Sequence, residues 1–298
     1  MPINRRETLL AGGGFSLALM TGAASAADSP HPILWQVEKG GAKVYILGFS
    51  EAKDRSWLTP IVQKACESSQ EIWFETPQRN SSAPPPPPQA TTPAQPPGVT
   101  EKNLFEVLKP ELSARMLAAA QKYGIPRERL EHTRPWRAYF VLNGGYFARK
   151  GAGAADIENF PDIVLSRMAY EAKKPVHSEF ATGSEAMAHF INMPDDEASE
   201  RLEFLLDFLD DDEAGRLSDR YDWILGRNNN RAIDKMRTKW PALYQDEQVN
   251  RNIGWARRIA GFLSDGGITF VVIGLQHTLG PDSLPNKLQE IGLKPETL

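Results

Sequence analysis

The sequence predicts an α/β fold: a single domain built on a central mixed β-sheet flanked by many helices, with a proline-rich loop insertion. Three observations predict it. Apolar runs of strand length alternate with segments of helical period along the chain. Two of these runs, Val44-Tyr45-Ile46-Leu47 and Phe270-Val271-Val272-Ile273, are continuously apolar, as strands covered on both faces are. The chain has 298 residues and 41% hydrophobic content, enough for one sizeable core.

The elements follow in order. Arg5-Arg6 precedes a weakly apolar stretch from Leu9 to Met20, and Ala24-Ser25-Ala26 then offers a small-residue cleavage site. Residues 1–26 are therefore expected to be a twin-arginine-like signal peptide, leaving a domain at 27–298 in the periplasm. The apolar stretch falls short of the roughly 20 residues a permanent membrane helix needs. No later segment is long and apolar enough, so no integral membrane segment is expected after cleavage. No cysteine follows the cleavage site to carry a lipid anchor. Ile33 to Val37 and Lys43 to Leu47 read as neighbouring strands around the turn Gly40-Gly41. Trp57 to Ser69 reads as a helix crossing to a third strand, Glu71 to Phe74.

From Gln78 to Thr100 the composition changes. The stretch QRNSSAPPPPPQATTPAQPPGVT contains five consecutive prolines, Pro84 to Pro88, which have no N–H for a ladder. Residues 78–100 are expected to be a disordered, solvated insert. Three readings stand open: a tolerated surface loop, a docking segment for a protein partner, or a flap over a nearby pocket. Beyond it, helices are expected from Pro110 to Tyr123, from Pro135 onward, from Pro161 to Ala172, across most of Ala198 to Leu225 and from Glu247 to Ser264. Lys174 to Phe180 and Thr269 to Ile273 supply the fourth and fifth strands. The acids Asp210 to Asp212 and Glu213 read as a solvated helix face.

Composition excludes some functions. The formal net charge of −4 gives no basic footprint for nucleic acid. Cys66 is the single cysteine, so no intrachain disulfide forms, and its helical context makes it a small buried hydrophobe.

Chemistry is best sought where strands end, because ligands of open α/β sheets sit beyond the carboxyl ends of strands. Gly48-Phe49-Ser50-Glu51 and Gly274-Leu275-Gln276-His277 each place a titratable residue three positions after a glycine. Glu75 closes the third strand. His177 and Glu179 leave the fourth at i and i+2, which puts them on one face. Beside the site reading stands the plain one, in which Glu51 and Glu75 are surface acids at strand ends. His31, His132 and His189 have no partner at ligand spacing and read as structural or exposed.

Several segments together resemble the TraB/GumN family, which is related to the Tiki metalloproteases. They are LWQVEKGGAKVYILGFSEAKD; EIWFE; the helical stretch NLFEVLKPELSARMLAAAQKYGIPRERLEHTRPWRAYFVL with its Pro-Trp pair; FPDIVL and KKPVHSEFATGSEAM; Asn250-Arg251-Asn252 with Trp255; and VVIGLQHTLGPDSLPNKLQEIGL. The resemblance runs from about Ile33 to the C-terminus, interrupted by the proline-rich insert. It implies a divalent-metal or acid/base site of two G-x-x-H histidines, glutamates and an arginine. On this chain that gives Glu51, Glu75, Glu179 and His277 as metal ligands, with Glu75 and Arg251 in catalytic roles.

One departure matters: Glu51 stands where the family has the first histidine. Such an oxygen-rich set favours Mn or Fe over Zn. His177 is a candidate replacement imidazole, against the plain reading of a packed strand histidine. The implied activity is a metal-dependent hydrolase of peptide-like substrates, with a metal-acidified water and Arg251 steadying a carboxylate or oxyanion. The alternative is a catalytically degenerate member that binds a peptide or small-molecule ligand in the periplasm, or recruits a partner.

Overall fold

The structure is a computed structural model that describes residues 31–78, 97–150, 158–217, 222–227 and 229–298. The expected signal peptide and residues 79–96 of the proline-rich insert lie outside the described residues.

The sheet starts from a hairpin. β1 (Leu34–Lys39) and β2 (Ala42–Phe49) pair antiparallel with Val37 opposite Val44. Gly40 and Gly41 turn the chain at φ +60 and +87, a two-residue turn with both φ values in the region that favours glycine. β3 (Glu71–Phe74), β4 (Val176–Ser178), β5 (Ile268–Gly274) and β6 (Glu296–Thr297) complete it, in the order β4-β3-β5-β2-β1-β6. β5 enters parallel between β2 and β3, and β4 lies parallel beside β3. β6 pairs antiparallel with β1.

The helices are α1 (Pro60–Ser68), α2 (Leu104–Val107), α3 (Pro110–Lys122), α4 (Glu128–Glu131), α5 (Pro135–Arg149) and α6 (Pro161–Glu171). They continue with α7 (Gly183–Ile191), α8 (Asp195–Glu213), α9 (Arg231–Lys239), α10 (Pro241–Tyr244), α11 (Arg251–Asp265) and α12 (Leu284–Glu290). Among the described residues, no helix is long and apolar enough to cross a membrane.

β5 shows why its sequence is apolar throughout. Phe270 and Val272 join Ile72, Phe74 and Leu47 against Val62 and Cys66 of α1 and Val164 and Leu165 of α6. Val271 and Ile273 point the other way, with Val44 and Ile46, onto Trp255, Ile259 and Leu263 of α11 and Leu284 and Leu288 of α12. Each such side chain contributes about 1.5–3 kcal/mol by leaving water. Lys174 fastens α1 by donating to the carbonyls of Cys66, Glu67 and Ser69 at 2.7, 2.7 and 2.6 Å, where the helix end has no partners of its own.

A second core forms beside the sheet, where Leu112 and Met116 of α3, Leu142 of α5 and Leu202 and Leu206 of α8 meet. Here the expected solvated acidic face is corrected. Asp211 is only 2% exposed and pairs with Arg216 at 2.6 Å and Lys235 at 2.9 Å. Arg115 bridges Asp207 and Asp210, and Tyr146 donates to Asp212. The acids form a seam because the segments packed against α8 present cations to them.

Other boundaries differ. The mostly helical span expected over Ala198 to Leu225 is an α-helix that starts earlier, at Asp195, and ends at Glu213, followed by a separate 3-10 turn at Asp222–Leu225. The fourth strand keeps only three residues. The described ends of the insert are anchored: Tyr170 donates to the Gln78 carbonyl, and Val99 forms a bridge with Thr133.

Candidate functional site

The carboxyl ends of β3, β4 and β5 open on a cavity of about 530 Å³, walled by Phe49, Phe74, Phe180 and Phe190. Glu75 follows β3 directly. Glu179 follows β4, and its backbone N–H donates to the Phe74 carbonyl at 2.8 Å, which fixes it beside β3. The third contributor comes from a helix. Between α10 and α11 the chain widens into a π-type turn over Gln245–Asn250, and Arg251 opens α11 at its end. Such turns are uncommon and concentrate at functional sites.

Arg251 holds the two acids together. One guanidinium nitrogen, Nη2, donates to Glu75 Oε1 at 2.7 Å and to Glu179 Oε2 at 2.6 Å. The other terminal nitrogen lies 3.6 Å from Glu247, one helical turn earlier. Behind Glu75 stands His277, fully buried in the 3-10 turn Leu275–Thr278 that follows β5. Its Nε2 lies 3.0 Å from Glu75 Oε1 and its Nδ1 lies 2.7 Å from Asn252 Oδ1. Asn252 Nδ2 donates to the Asp282 carbonyl at 2.8 Å, which turns the amide oxygen toward the imidazole. The Gly274 backbone N–H donates to Glu75 Oε2.

The electrostatics follow from these contacts. Burial disfavours the Glu75 carboxylate, but His277, Arg251 and the Gly274 N–H together outweigh it and hold the carboxyl well below the usual range. Arg251 is likewise desolvated, yet Glu75, Glu179 and Glu247 push its pKa further up. Asp162 lines the same cavity and is raised, chiefly by burial, with Glu75 adding to the effect.

A second group adjoins the first. His189 of α7 lines the cavity with Asp246 and Glu247 of the π-type turn. Arg201 of α8 reaches into this group: its Nη2 contacts Glu247, with His189 Nε2 at 3.3 Å and Asp246 at 3.5 Å. Glu247 is held down to about 2; burial opposes this, and His189, Arg201 and Arg251 prevail. The neighbouring Glu247 carboxylate, 3.8 Å away, raises His189, with Asp246 adding to the effect and burial and Arg201 opposing it.

The structure therefore brings Glu75, Glu179, Arg251 and His277 into one cluster. It does not bring Glu51 there. Glu51 lines a separate cavity of about 250 Å³ with Tyr146, Trp223 and Gln276, and its carbonyl accepts from Trp223 Nε1 at 2.8 Å. Leu275 and Gln276 line that same cavity, so the two G-x-x-(H/E) ends lie side by side, with Glu51 on the wall of the second cavity and His277 buried against Glu75 and Asn252. His177 stays out as well: it stacks on Trp73 at 4.7 Å and pairs with Glu71 at 3.2 Å. The strand ends at Ser178, so the alternation expected to align His177 with Glu179 stops before Glu179.

Sequence reasoning missed His189, Asp246, Glu247, Arg201 and Asp162. Only Glu247 left a signal, since its spacing of four from Arg251 puts both on one helical face.

The implied metal can be tested against this donor set. A ligating histidine must offer a lone pair, but both His277 nitrogens face oxygen acceptors. Glu75 Oε1 already accepts two hydrogen bonds, and a guanidinium nitrogen lies between Glu75 and Glu179. As arranged here, Glu75, Glu179 and His277 do not fit an ion, and Glu51 lines the other cavity.

Fold and site together define a class: an α/β domain with an acid–guanidinium–imidazole cluster at the carboxyl end of a mixed sheet. Residues 33–297 match the model of the TraB/PrgY/gumN family, and the chain belongs to that family. No curated protein and no solved structure matches it.

Proposed function

We propose that this is an exported binding member of the TraB/PrgY/gumN family, whose cavity takes a peptide-like ligand through a cationic group. The observation that carries the reading is the cavity lining. Five carboxylates, Glu75, Asp162, Glu179, Asp246 and Glu247, face it with Arg251 and His189 as the basic residues, over walls of phenylalanine. Such a lining attracts a protonated amine or guanidinium on an apolar body, such as a peptide N-terminus or a lysine or arginine side chain. Export rests on the Arg5-Arg6 leader and the Ala24-Ser25-Ala26 site.

The test is a panel of short peptides differing only in charge, titrated by calorimetry against wild type and Glu179→Gln. Cationic peptides should bind more tightly than their neutral and acidic counterparts, and Glu179→Gln should erode that preference. Equal affinity across the panel would overturn the reading.

A second reading, acid/base hydrolysis without a metal, is favoured by one observation: the His189 imidazole lies on the cavity wall 3.8 Å from Glu247. Cleavage of the bound peptides that vanishes in His189→Ala would establish it over simple binding.

A further inference from the structure

We propose that Arg251 and Arg201 stand where a divalent ion would stand, so that the cavity carries its own fixed cations and binds no metal. This goes beyond ligand recognition, since a cationic peptide could be bound with or without an ion nearby.

The geometry is repeated in two places. An ion held by carboxylates and an imidazole sits about 2.0–2.2 Å from each donor, so the donors must converge on one point. Glu75 Oε1 and Glu179 Oε2 do converge, but on Arg251 Nη2, at 2.7 and 2.6 Å, with His277 closing the other side of Glu75. The second group is better placed for an ion by distance alone. Ligand atoms of His189, Asp246 and Glu247 all lie within 4.8 Å of one another. There too a guanidinium nitrogen, Arg201 Nη2, contacts all three residues. Glu247 touches both arginines, so the two groups form one alternating chain of acids and guanidiniums.

These cations cannot step aside cheaply. Guanidinium does not lose its proton in proteins, so an ion would have to displace the whole side chain. Arg201 is 7% exposed and its guanidinium lies over the Phe190 ring at 5.3 Å. Removing either arginine from its acids leaves buried negative charge without a counter-charge. That same exposed demand for positive charge is what an ion would then satisfy.

The experiment is a calorimetric titration of the full chain, stripped with EDTA and dialysed, with Zn²⁺ and Mn²⁺ separately. Wild type should take up neither ion at stoichiometric level. Arg251→Met should gain a Zn²⁺ site about tenfold or more tighter than any residual wild-type binding, and adding Glu75→Gln should remove it. Arg201→Met should gain its own site, sensitive to Glu247→Gln. Thermal melts in EDTA show which variants are folded.

Stoichiometric binding by wild type that is lost in Glu75→Gln or Glu247→Gln overturns the proposal. So does metal-blind behaviour of the folded arginine variants. Should Arg251→Met fail to fold, the wild-type titration and Arg201→Met decide between the same two outcomes.

Discussion

Asn252 sets the direction of His277: its amide oxygen lies 2.7 Å from Nδ1, while its amide nitrogen is held by the Asp282 carbonyl at 2.8 Å. Both residues are fully buried. Asn252→Leu keeps a similar volume but leaves the imidazole nitrogen and the Asp282 carbonyl without this partner. The expected cost is about 1–3 kcal/mol of unfolding free energy, read from urea denaturation. A variant as stable as wild type would show that the ring finds its orientation from Glu75 alone.

The acids of the cavity make stability depend on pH. Glu247 falls from 4.5 to about 2 in the folded chain. A group depressed in this way stabilises the fold above its unfolded value and stops doing so as pH drops through its folded value. Glu75 acts in the same direction. Stability should therefore decline as pH is lowered from 4.5 toward 2. Glu247→Gln should flatten that decline while lowering stability at neutral pH. Denaturant midpoints across the acid range measure both effects, and an unchanged slope in the variant would refute the assignment.

Lys174 fastens the end of α1 through three carbonyls. Lys174→Met retains most of the apolar stem and removes the charge. The expected loss is about 1–2 kcal/mol, comparable to a favourable charge at a helix C-terminus. A fall in the thermal midpoint gives the direct reading. Hydrogen exchange should localise the weakening to amides near the end of α1.

Cys66 is buried among apolar side chains on the sheet-facing side of α1, and burial pushes its thiol up to about 11. The thiolate is the reactive form. The folded protein should resist thiol reagents at neutral pH and react fully once denatured. Fast labelling of the native chain, followed by optical absorbance of the released chromophore, would contradict this.

Much of the sheet could be read from the chain because burial on both faces leaves an unambiguous apolar run, as in Phe270 to Ile273. Glu71 to Phe74 was equally legible, framed by a helix before and Thr76-Pro77 after. α7 was not read, although Thr182 and Glu185 mark its start: Thr182 Oγ1 accepts from the Glu185 N–H, and Glu185 accepts from Ala181. Its apolar face, Met187, Phe190 and Ile191, spans barely two turns and packs on a small cluster of Trp136, Met193 and Ala198. β6 was too short to signal at all.

The cluster at the strand ends was legible in part. Glu75, Glu179, Arg251 and His277 follow recognisable boundaries, and the fold gathers them. Glu51 looked equivalent to His277 because both follow a strand and a glycine by three residues. What separates them is the path taken afterwards, and spacing does not encode that path. His189 carries no signal in the sequence because its partners lie in a π-type turn more than fifty residues away, a distance that local pattern cannot bridge.

One consequence reaches into how the molecule is made. β5 is a central strand, yet it pairs with β2 across more than two hundred residues of chain and is translated after β1 to β4. Until β5 and the turn after it emerge, the hairpin and the β3–β4 pair have nothing between them, and neither His277 nor the Gly274 amide exists to meet Glu75. Prematurely terminated chains lacking β5 should consequently be proteolysed as unfinished sheets rather than persist as folded fragments.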